Sequence, residues 1–336
     1  MKVGTRESAL AMRQTDIFRE KMAVLNPDVE IEVIGMKALG DIDLTSPLDQ
    51  MSNVGAFVRE LDEAIMKKAI DASVNSLKDV PTKMNPALAL PAIFERDAVE
   101  DVILPCRLEE LPQGAKVGTS SIRRGMQLKS LRPDLDIQPL RGNIHTRMDK
   151  LDSGKYDAIL LAKAGLDRMG IERPMYKLDR KVFIPAPAQG TIAVECRADD
   201  AENLEILRKL DHVPTRAAVT LERDLMRLMG AGCSAPVGIS AVLEGRKLSL
   251  NAVSYGYTPE PRRVETTVDA DYTQEEAAVI AARHSSCRDT SRAVVEYTYR
   301  KNIKKPVGSK PGKVIFHTYY TIIVNMEKAP AAQRIS

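Results

Sequence analysis

The chain has 336 residues, enough for two or three domains, and its 44% hydrophobic and 28% charged residues are ordinary for a folded protein. A net charge of +3 and an aromatic content of 4%, without tryptophan, argue against a nucleic-acid-binding protein, which needs a basic face and stacking platforms. The four cysteines and four histidines are scattered, so we expect reduced thiols and no metal site.

The N-terminal segment MKVGTRESALAMRQ carries charges early and has no apolar run, so we expect no signal peptide. No stretch of the sequence approaches the ~18 consecutive apolar residues that a membrane-spanning helix needs. We therefore expect a cytoplasmic protein without a membrane partner.

The first 95 residues alternate strand and helix patterns. KVGT and VEIEVIGM are predicted strands, and between them Ser8 is the predicted N-cap of a helix that runs through Leu25. A helix in GAFVRELDEAIMKKA follows, and then strands at 72–77 and in ALALPAIF. This alternation predicts a largely parallel sheet flanked by helices.

A second unit of the same kind begins near Asp101. DVILP, AKVG, LDIQPL and DAILLA are predicted strands, and SSIRRGMQLKSL and GNIHTRMDKLDSG are predicted helices. TIAVECR is then a strand, and a helix covers 200–210. A strand after two similar α/β units predicts that the chain crosses back to the first unit. That double crossing resembles the architecture of periplasmic binding proteins, with a ligand cleft between two lobes.

A smaller third unit begins near Pro214. TRAAVTLERDLMRLM and QEEAAVIAAR are predicted helices, and VGISAVLEGRKLSLNAVSY is a hairpin that turns at Glu244 and Gly245. The predicted fold is two periplasmic-binding-protein-like α/β domains with a cleft between them, plus a small α/β C-terminal domain. The predicted domains are 1–94 with 191–210, 100–186 and 213–299, followed by a tail, 300–336, without assigned structure.

The segment VGTSSIRR places Thr119, Ser120 and Ser121 at the start of a helix, followed at once by Arg123 and Arg124. Free backbone N–H groups at a helix start bind anions, whereas the macrodipole disfavours cations there. Two adjacent arginines at this point are therefore explained by an anion that offsets them. The other interpretation is an ordinary N-cap followed by two surface arginines.

Arginines recur where predicted strands pass into helices. These arginines are Arg6, Arg59, Arg123, Arg124, Arg141 and Arg147. Ligands of α/β sheets bind outside the carboxyl ends of the strands, and the arginine fork pairs well with carboxylates. The pattern predicts a polycarboxylate ligand, with scattered surface arginines as the alternative.

Two further residues are candidates for chemistry. Asp79 follows a predicted strand in SLKDVP and is a candidate general acid/base, although a capping or ion-pairing aspartate is the commoner role. Cys233 lies among small residues in GAGCSAP and is a candidate nucleophile, although a small buried cysteine fits as well.

Together, the motifs resemble those of the hydroxymethylbilane synthases, in the same order. They are GTRES, FVREL, NSLKDVP, VGTSSIRR, LRGNIHTR, YDAILLAKAGL, PAPAQG, VECR, LER and GAGCSAPVG, within residues 1–257. The resemblance implies a transferase of tetrapyrrole biosynthesis, monomeric, with porphobilinogen as its small-molecule substrate. Four porphobilinogen units would be condensed on a covalent dipyrromethane primer, and the linear tetrapyrrole would then be released by hydrolysis.

The resemblance also implies the roles of individual residues. Asp79 would be the catalytic acid/base, and Cys233 would carry the dipyrromethane cofactor through a thioether. The cofactor would be bound by Ser76, Lys78, Thr119, Ser121, Arg123, Arg124 and Arg141. The substrate would be bound by Arg6, Ser8, Arg59, Arg147 and Gln189.

The sequence departs from the family at a few positions. Asn75 stands where a histidine is usual, Val54 where a lysine is usual, and Arg59 replaces a lysine. Residues after about His284 do not match the family's usual ending. The main rival to the enzyme is a two-lobed anion-binding protein without catalysis, which would need neither Asp79 nor Cys233.

Overall fold

The computed structural model describes residues 1–37, 58–231, 235–255 and 260–285. Within these ranges the strands form three sheets, two of five strands and one of three. No helix in the same ranges combines the length and the apolar composition that would let it cross a membrane.

The elements follow one another in nearly the predicted order. The strands are β1 (Lys2–Arg6), β2 (Glu32–Met36), β3 (Ala72–Ser76), β4 (Leu88–Ile93), β5 (Asp101–Leu104), β6 (Lys116–Gly118), β7 (Asp136–Gln138), β8 (Ala158–Ala162), β9 (Tyr176–Lys177), β10 (Ile192–Arg197), β11 (Val237–Glu244), β12 (Lys247–Ser254) and β13 (Arg262–Asp269). The helices are α1 (Ala9–Leu25), α2 (Arg59–Met66), α3 (Ile122–Leu131), α4 (Ile144–Asp152), α5 (Lys163–Arg168), α6 (Ala201–Arg208), α7 (Val213–Leu228) and α8 (Gln274–Ser285). Two short 3-10 turns cover Leu77–Asp79 and Leu108–Glu110.

The first sheet has the strand order β2-β1-β3-β10-β4. Strand β1 runs parallel to β2 and β3, whereas β10 is antiparallel to β3 and β4. Phe18 and Met22, one helical turn apart on α1, are fully buried against Val74 of β3 and Val194 of β10. This packing fixes α1 over the sheet. Because β1 and β3 run parallel, their carboxyl ends meet at one edge of the sheet.

The second sheet repeats this plan in the order β7-β6-β8-β5-β9. Strand β6 is parallel to β7 and β8, and β5 is antiparallel to β8. The chain reaches β5 from the first sheet and returns from β9 to β10, so each sheet contains one antiparallel strand made by a crossing. The predicted double crossing and the two-lobed α/β fold are confirmed.

The third sheet is the antiparallel meander β11-β12-β13. Gly245 has a positive φ of 62° in the predicted hairpin turn, a conformation that glycine adopts without strain. Leu221 and Leu225 of α7 pack with Ile239 of β11 and Ile280 of α8 to form its core. The small C-terminal α/β unit therefore has a core of its own.

Some elements were not predicted from the sequence. Strand β13 was missed because RRVETTVD contains only two apolar residues, Val264 and Val268, which lie against the sheet's core at an edge position. Helix α5 was missed because it follows β8 directly in one apolar run. We propose that the three sheets mark the three domains, 1–94 with 191–210, 100–186 and 213–299; the segment 300–336 lies outside the described residues.

Glu222 of α7 is a fully buried carboxylate that ties three segments together. Its two oxygens accept hydrogen bonds from Arg96 Nη1 at 2.7 Å and Nη2 at 3.1 Å, and from the backbone N–H groups of Ala188 and Ala241 at 2.6 Å each. Arg96 and Ala188 lie on the two crossing segments, and Ala241 lies on β11. Because four donors satisfy this carboxylate, its burial is tolerated and α7 is fixed against both crossings.

Replacement of Glu222 by glutamine should destabilise the fold strongly. The amide group would place N–H donors against the donors that now serve the carboxylate, and breaking a buried charge pair costs about 3–5 kcal/mol. Urea denaturation should show a loss of this order in the free energy of unfolding. Glu63→Gln on the surface of α2 is the matched control and should leave the denaturation midpoint unchanged; equal midpoints for the two variants would contradict the role given to Glu222.

Candidate active site

The 3-10 turn Leu77–Asp79 follows β3 and presents two of the predicted site residues. Leu77 is fully buried, and its backbone N–H donates to the carbonyl oxygen of Thr191, the residue directly before β10. This hydrogen bond fixes the turn beside β10. The Asp79 side chain is 29% exposed, and its Oδ2 lies 4.0 Å from Nη1 of Arg6. Arg6 ends β1, so the predicted meeting of the β1 and β3 carboxyl ends brings Arg6 and Asp79 together.

Lys78 faces charges from both sheets. Its burial lowers the pKa of its ammonium group to about 8, with Asp79 acting in the opposite direction. Arg124, Asp101 and Arg123 also influence this pKa, so charges at the start of α3 and of β5 act on Lys78. The turn of the first sheet and the arginine pair of the second therefore belong to one site.

The start of α3 has the predicted capping geometry. Ser121 is the N-cap and accepts from the backbone N–H of Arg124 at 3.4 Å, while Thr119 Oγ1 accepts from the backbone N–H of Ser121 at 3.2 Å. Arg123 and Arg124 are only 5% and 7% exposed. The alternative that they are surface arginines is therefore wrong.

Asp101, the first residue of β5, is the fixed anion beside these arginines. Its Oδ1 accepts hydrogen bonds from Nε and Nη2 of Arg124, at 3.0 and 2.7 Å, and from Nε2 of Gln189 at 2.9 Å. Its Oδ2 lies 2.7 Å from Nη2 of Arg123. Burial alone would raise the pKa of Asp101, but Arg123 and Arg124 outweigh it and hold the pKa well below its usual range.

Sequence reasoning did not single out Asp101. An aspartate at the beginning of DVILP is indistinguishable from a surface residue that starts a strand, and its partners are 22 and more positions away in the chain. The anion predicted to offset the two arginines is thus supplied in part by the protein itself. Gln189, predicted to line the cleft, is buried in this same network and also donates to Val99 O.

Arg141 and Arg147 extend the cationic group beyond α3. Arg147, in the first turn of α4, donates from Nε to Gly142 O at 2.8 Å. Burial lowers the pKa of Arg147 to about 10, and repulsion from Arg124 and Arg141 contributes. We call the following set the cationic cluster: Arg6, Lys78, Arg123, Arg124, Arg141 and Arg147. Among the described residues, the carboxylates of Asp79 and Asp101 lie beside this cluster.

The remaining predicted residues lie at different distances from this cluster. Ser8 caps α1 by accepting from the backbone N–H of Ala11, and Ser76 Oγ accepts from Nε2 of Gln14 at 2.8 Å. Arg59 is exposed on α2, where its Nε pairs with Glu63 at 3.3 Å. Cys233 and Val54 lie outside the described residues. The binding roles of all these residues remain predictions.

Asn75, where the family has a histidine, is buried in β3 rather than exposed in the site. Its Nδ2 donates to Ser73 Oγ at 2.9 Å and to Oε2 of Glu195 at 2.8 Å. Burial, with a smaller contribution from the nearby Asp62, raises the pKa of Glu195 to about 8. Asn75 is therefore the hydrogen-bond partner of a buried carboxyl group close to the 3-10 turn.

In the described parts of the chain, no group of three or more histidine, cysteine or acidic side chains is arranged to hold a metal ion.

The chain was compared with known families and proteins. The family model described as "Porphobilinogen deaminase, dipyromethane cofactor binding domain" matches residues 1–205, and "Porphobilinogen deaminase, C-terminal domain" matches 216–280. A relative from Desulforamulus reducens, named porphobilinogen deaminase, is 43% identical over 255 residues, which is 75% of this chain and 82% of that protein. A protein of the same name from Xanthomonas campestris pv. campestris (strain B100) is 42% identical over 257 residues, covering 75% of this chain and 84% of its own.

Among solved structures, the Bordetella pertussis BvgS periplasmic VFT2 domain aligns with a TM-score of 0.38 and 14% identity. That alignment covers 62% of this chain and 86% of the other. The second substrate binding domain of a putative amino acid ABC transporter from Streptococcus pneumoniae has the same score and identity, and covers 62% and 90%.

Glu195 should make the stability of the fold depend on pH. In the folded protein it keeps its proton up to about pH 8, whereas an ordinary glutamate releases its proton near 4.5. The stabilisation from this proton is therefore fully present below about pH 4.5 and is lost as the pH rises through about 8. Glu195→Gln carries a neutral amide at every pH, so its free energy of unfolding should fall less than that of the wild type across this range.

Urea denaturation at about pH 5, 6.5 and 8 measures the difference. Glu63→Gln is the control, because hydrogen bonds from Lys67 and Arg59 lower the pKa of Glu63 and so remove its titration from this range. The same pH dependence in the wild type and in Glu195→Gln would show that Glu195 is ionised in the fold.

Proposed function

This chain belongs to the porphobilinogen deaminase family, and from that premise we propose which of its residues carry out the reaction. It is a transferase of tetrapyrrole biosynthesis that uses a dipyrromethane cofactor. Four porphobilinogen molecules are condensed on this cofactor, and hydrolysis releases the linear tetrapyrrole hydroxymethylbilane. The observation that carries our assignment of residues is the cationic cluster with Asp79 at its edge.

The cationic cluster fits a dipyrromethane, whose acetate and propionate groups are carboxylates. Burial lowers the pKa values of Lys78 and Arg147, so both side chains are cations partly withdrawn from water. Cofactor carboxylates would pair with such cations. When bound, this group supplies the primer from which the tetrapyrrole grows. Its carboxylates would be held by Ser76, Lys78, Thr119, Ser121, Arg123, Arg124 and Arg141, and Cys233 would be its point of attachment.

Asp101 prepares the arginine pair for this task. It engages Nε and Nη2 of Arg124 and Nη2 of Arg123, while Nη1 of Arg124 donates to Leu160 O. A guanidinium has five N–H donors, so each arginine keeps donors for a ligand while its plane is fixed. Asp101 therefore acts as a support that orients Arg123 and Arg124.

Porphobilinogen itself brings two carboxylates and an aminomethyl group. Arg6, Arg147, Ser8, Gln189 and Arg59 are the side chains we assign to binding it. Each condensation adds two further carboxylates, so the same basic surface serves every round of elongation. Arginine suits this role because its fork pairs both oxygens of a carboxylate and it stays charged.

Asp79 is the residue we assign to proton transfer and charge stabilisation. Departure of the amino group as ammonia requires a proton and leaves positive charge on the substrate's pyrrole nitrogen. A carboxylate beside that nitrogen stabilises the charge, and its Oδ atoms accept and return the proton. The partial exposure of Asp79 and its distance of 4.0 Å from Arg6, which we assign to substrate binding, support this role.

We propose that the enzyme works as a monomer in the cytoplasm without a nucleic-acid or membrane partner. The net charge of +3 and the 4% aromatic content support the absence of nucleic acid. Light scattering on the purified protein tests the monomer, and a molecular mass of about twice the 37.1 kDa of the chain would contradict it.

Asp79→Asn should lower kcat by at least about a hundredfold, because a positioned acid/base contributes ~10²–10⁴ in rate. Asparagine has nearly the same shape, so the fold and the attached cofactor should remain. Single-turnover and steady-state kinetics measure the loss. Asp16→Asn on the exposed face of α1 is the control. Turnover within a few-fold of the wild type would exclude Asp79 from proton transfer.

Cys233 should carry the cofactor. The thiol is partly ionised at neutral pH and strongly nucleophilic, unlike a serine hydroxyl, so it forms a stable thioether. The intact mass should exceed the sequence mass by one dipyrromethane unit, and peptide mapping should locate the adduct on Cys233. Cys233→Ala should lose both adduct and activity.

Cys106→Ala is the matched control for this experiment. Burial raises the pKa of the Cys106 thiol, which makes it a poor nucleophile, and the variant should keep both adduct and activity. An active native protein whose Cys233 is unmodified would overturn the assignment.

A further inference from the structure

Arg223 of α7 binds the backbone of the segment that carries Lys78 and Asp79. Its Nη1 donates to Leu77 O at 3.3 Å and to Val80 O at 2.9 Å, and its Nη2 donates to Pro81 O at 2.8 Å. These three carbonyl groups flank Lys78 and Asp79 on both sides. One guanidinium from a distant helix therefore spans the whole turn.

The turn itself has little intrinsic rigidity. It is a three-residue 3-10 turn closed by the hydrogen bond from Val80 N to Leu77 O at 3.2 Å. Hydrogen bonds of 3-10 geometry are poorer than those of an α-helix, and such turns are short for that reason. The direction of the Asp79 side chain thus depends on what fixes residues 77–81 from outside.

Helix α7 is well placed to fix this segment because it is itself held firmly. Val219, one helical turn before Arg223, is fully buried in the same hydrophobic cluster as Leu77 and Val80. Glu222, the neighbouring residue, is satisfied by four donors on the two crossings and β11. The Arg223 guanidinium therefore reaches the turn from a helix that is itself held in place.

We propose that Arg223 is a positioning residue for the reaction: it fixes the backbone of residues 77–81 and thereby aims Asp79 at the substrate. This inference rests on the role proposed above for Asp79. In the sequence, Cys233 follows the end of α7 at Leu228 by five residues.

Arg223→Met tests the inference because it removes all three hydrogen bonds to the turn and keeps much of the side chain's bulk. We expect kcat to fall ~10–100-fold with KM within about threefold, since displacements near 1 Å cost about that much in rate. Intact mass should still show the cofactor adduct. Hydrogen exchange at the amides of residues 78–80 should become faster, because the turn loses the hydrogen bonds that Arg223 donates to it.

Arg216→Met is the matched control. Arg216 lies on the same helix and also donates to two backbone carbonyls, Leu90 O at 2.9 Å and Pro91 O at 3.1 Å, while pairing with Asp211. Its loss should lower stability as much as the loss of Arg223 does, with kcat nearly unchanged. Arg223→Lys should recover part of the rate, because an ammonium group can still bind some of the three carbonyls.

A double variant separates this inference from the role of Asp79. If Arg223 acts through Asp79, adding Arg223→Met to Asp79→Asn should lower kcat by less than about threefold, far below the product of the single effects. If Asp79→Asn alone keeps its turnover, the proposed role of Asp79 fails first.

If Asp79→Asn is inactive but Arg223→Met matches Arg216→Met in kcat and in hydrogen exchange, the inference on Arg223 is wrong and Arg223 is a structural tie only. Should Arg223→Met not fold, Arg223→Lys is judged by the same comparison, and wild-type kcat with wild-type exchange in that variant overturns the inference equally.

Discussion

The buried carboxylate of Asp101 is the interaction on which the arrangement of the site depends. It lies at the first residue after the chain crosses to the second sheet, and Gln189 from the returning crossing donates to it. Arg123 and Arg124 reach it from the start of α3. A charge buried in this way is tolerable only when opposite charges and hydrogen bonds satisfy it. Asp101 therefore fixes both crossings and both arginines at one point.

The same constraint supports our proposal of a polycarboxylate ligand. Asp101 pairs with two of the six cations in the cluster, Arg123 and Arg124. Burial lowers the pKa values of Lys78 and Arg147. Dipyrromethane and porphobilinogen both carry paired carboxylates, so the binding of either would bring negative charge to the cationic cluster. Asp79 can then stay at the partly exposed edge, where the reacting pyrrole nitrogen would lie.

Sequence reasoning recovered the features that local patterns encode. The N-caps Ser8 and Ser121, the alternating strands and helices, and the arginines at strand ends all follow from short-range spacing. The pairings that shape the site do not, because they join residues far apart in the chain. Asp101 looks like an ordinary strand start, and the LER motif around Glu222 and Arg223 looks like an exposed stretch of amphipathic helix.

The contacts of buried polar residues were also not predicted from the sequence. The side chain of Asn75 donates inward to Glu195, and the nearby Asp62 contributes to the raised pKa of Glu195. The sequence identifies a departure from the family but not the direction in which the side chain points. The orientation depends on the pairing of β3 with β10, which only the folded sheet defines.

The salt dependence of stability with and without the cofactor tests the charge-balance account most directly. Thermal denaturation of the cofactor-loaded wild type and of the cofactor-free Cys233→Ala variant would be followed from low to high salt. Salt screens repulsion between the cations of the cluster. The account predicts that the cofactor-free protein melts at a markedly lower temperature in low salt and that the gap narrows as salt is added. A gap that is absent, or that does not change with salt, would contradict it.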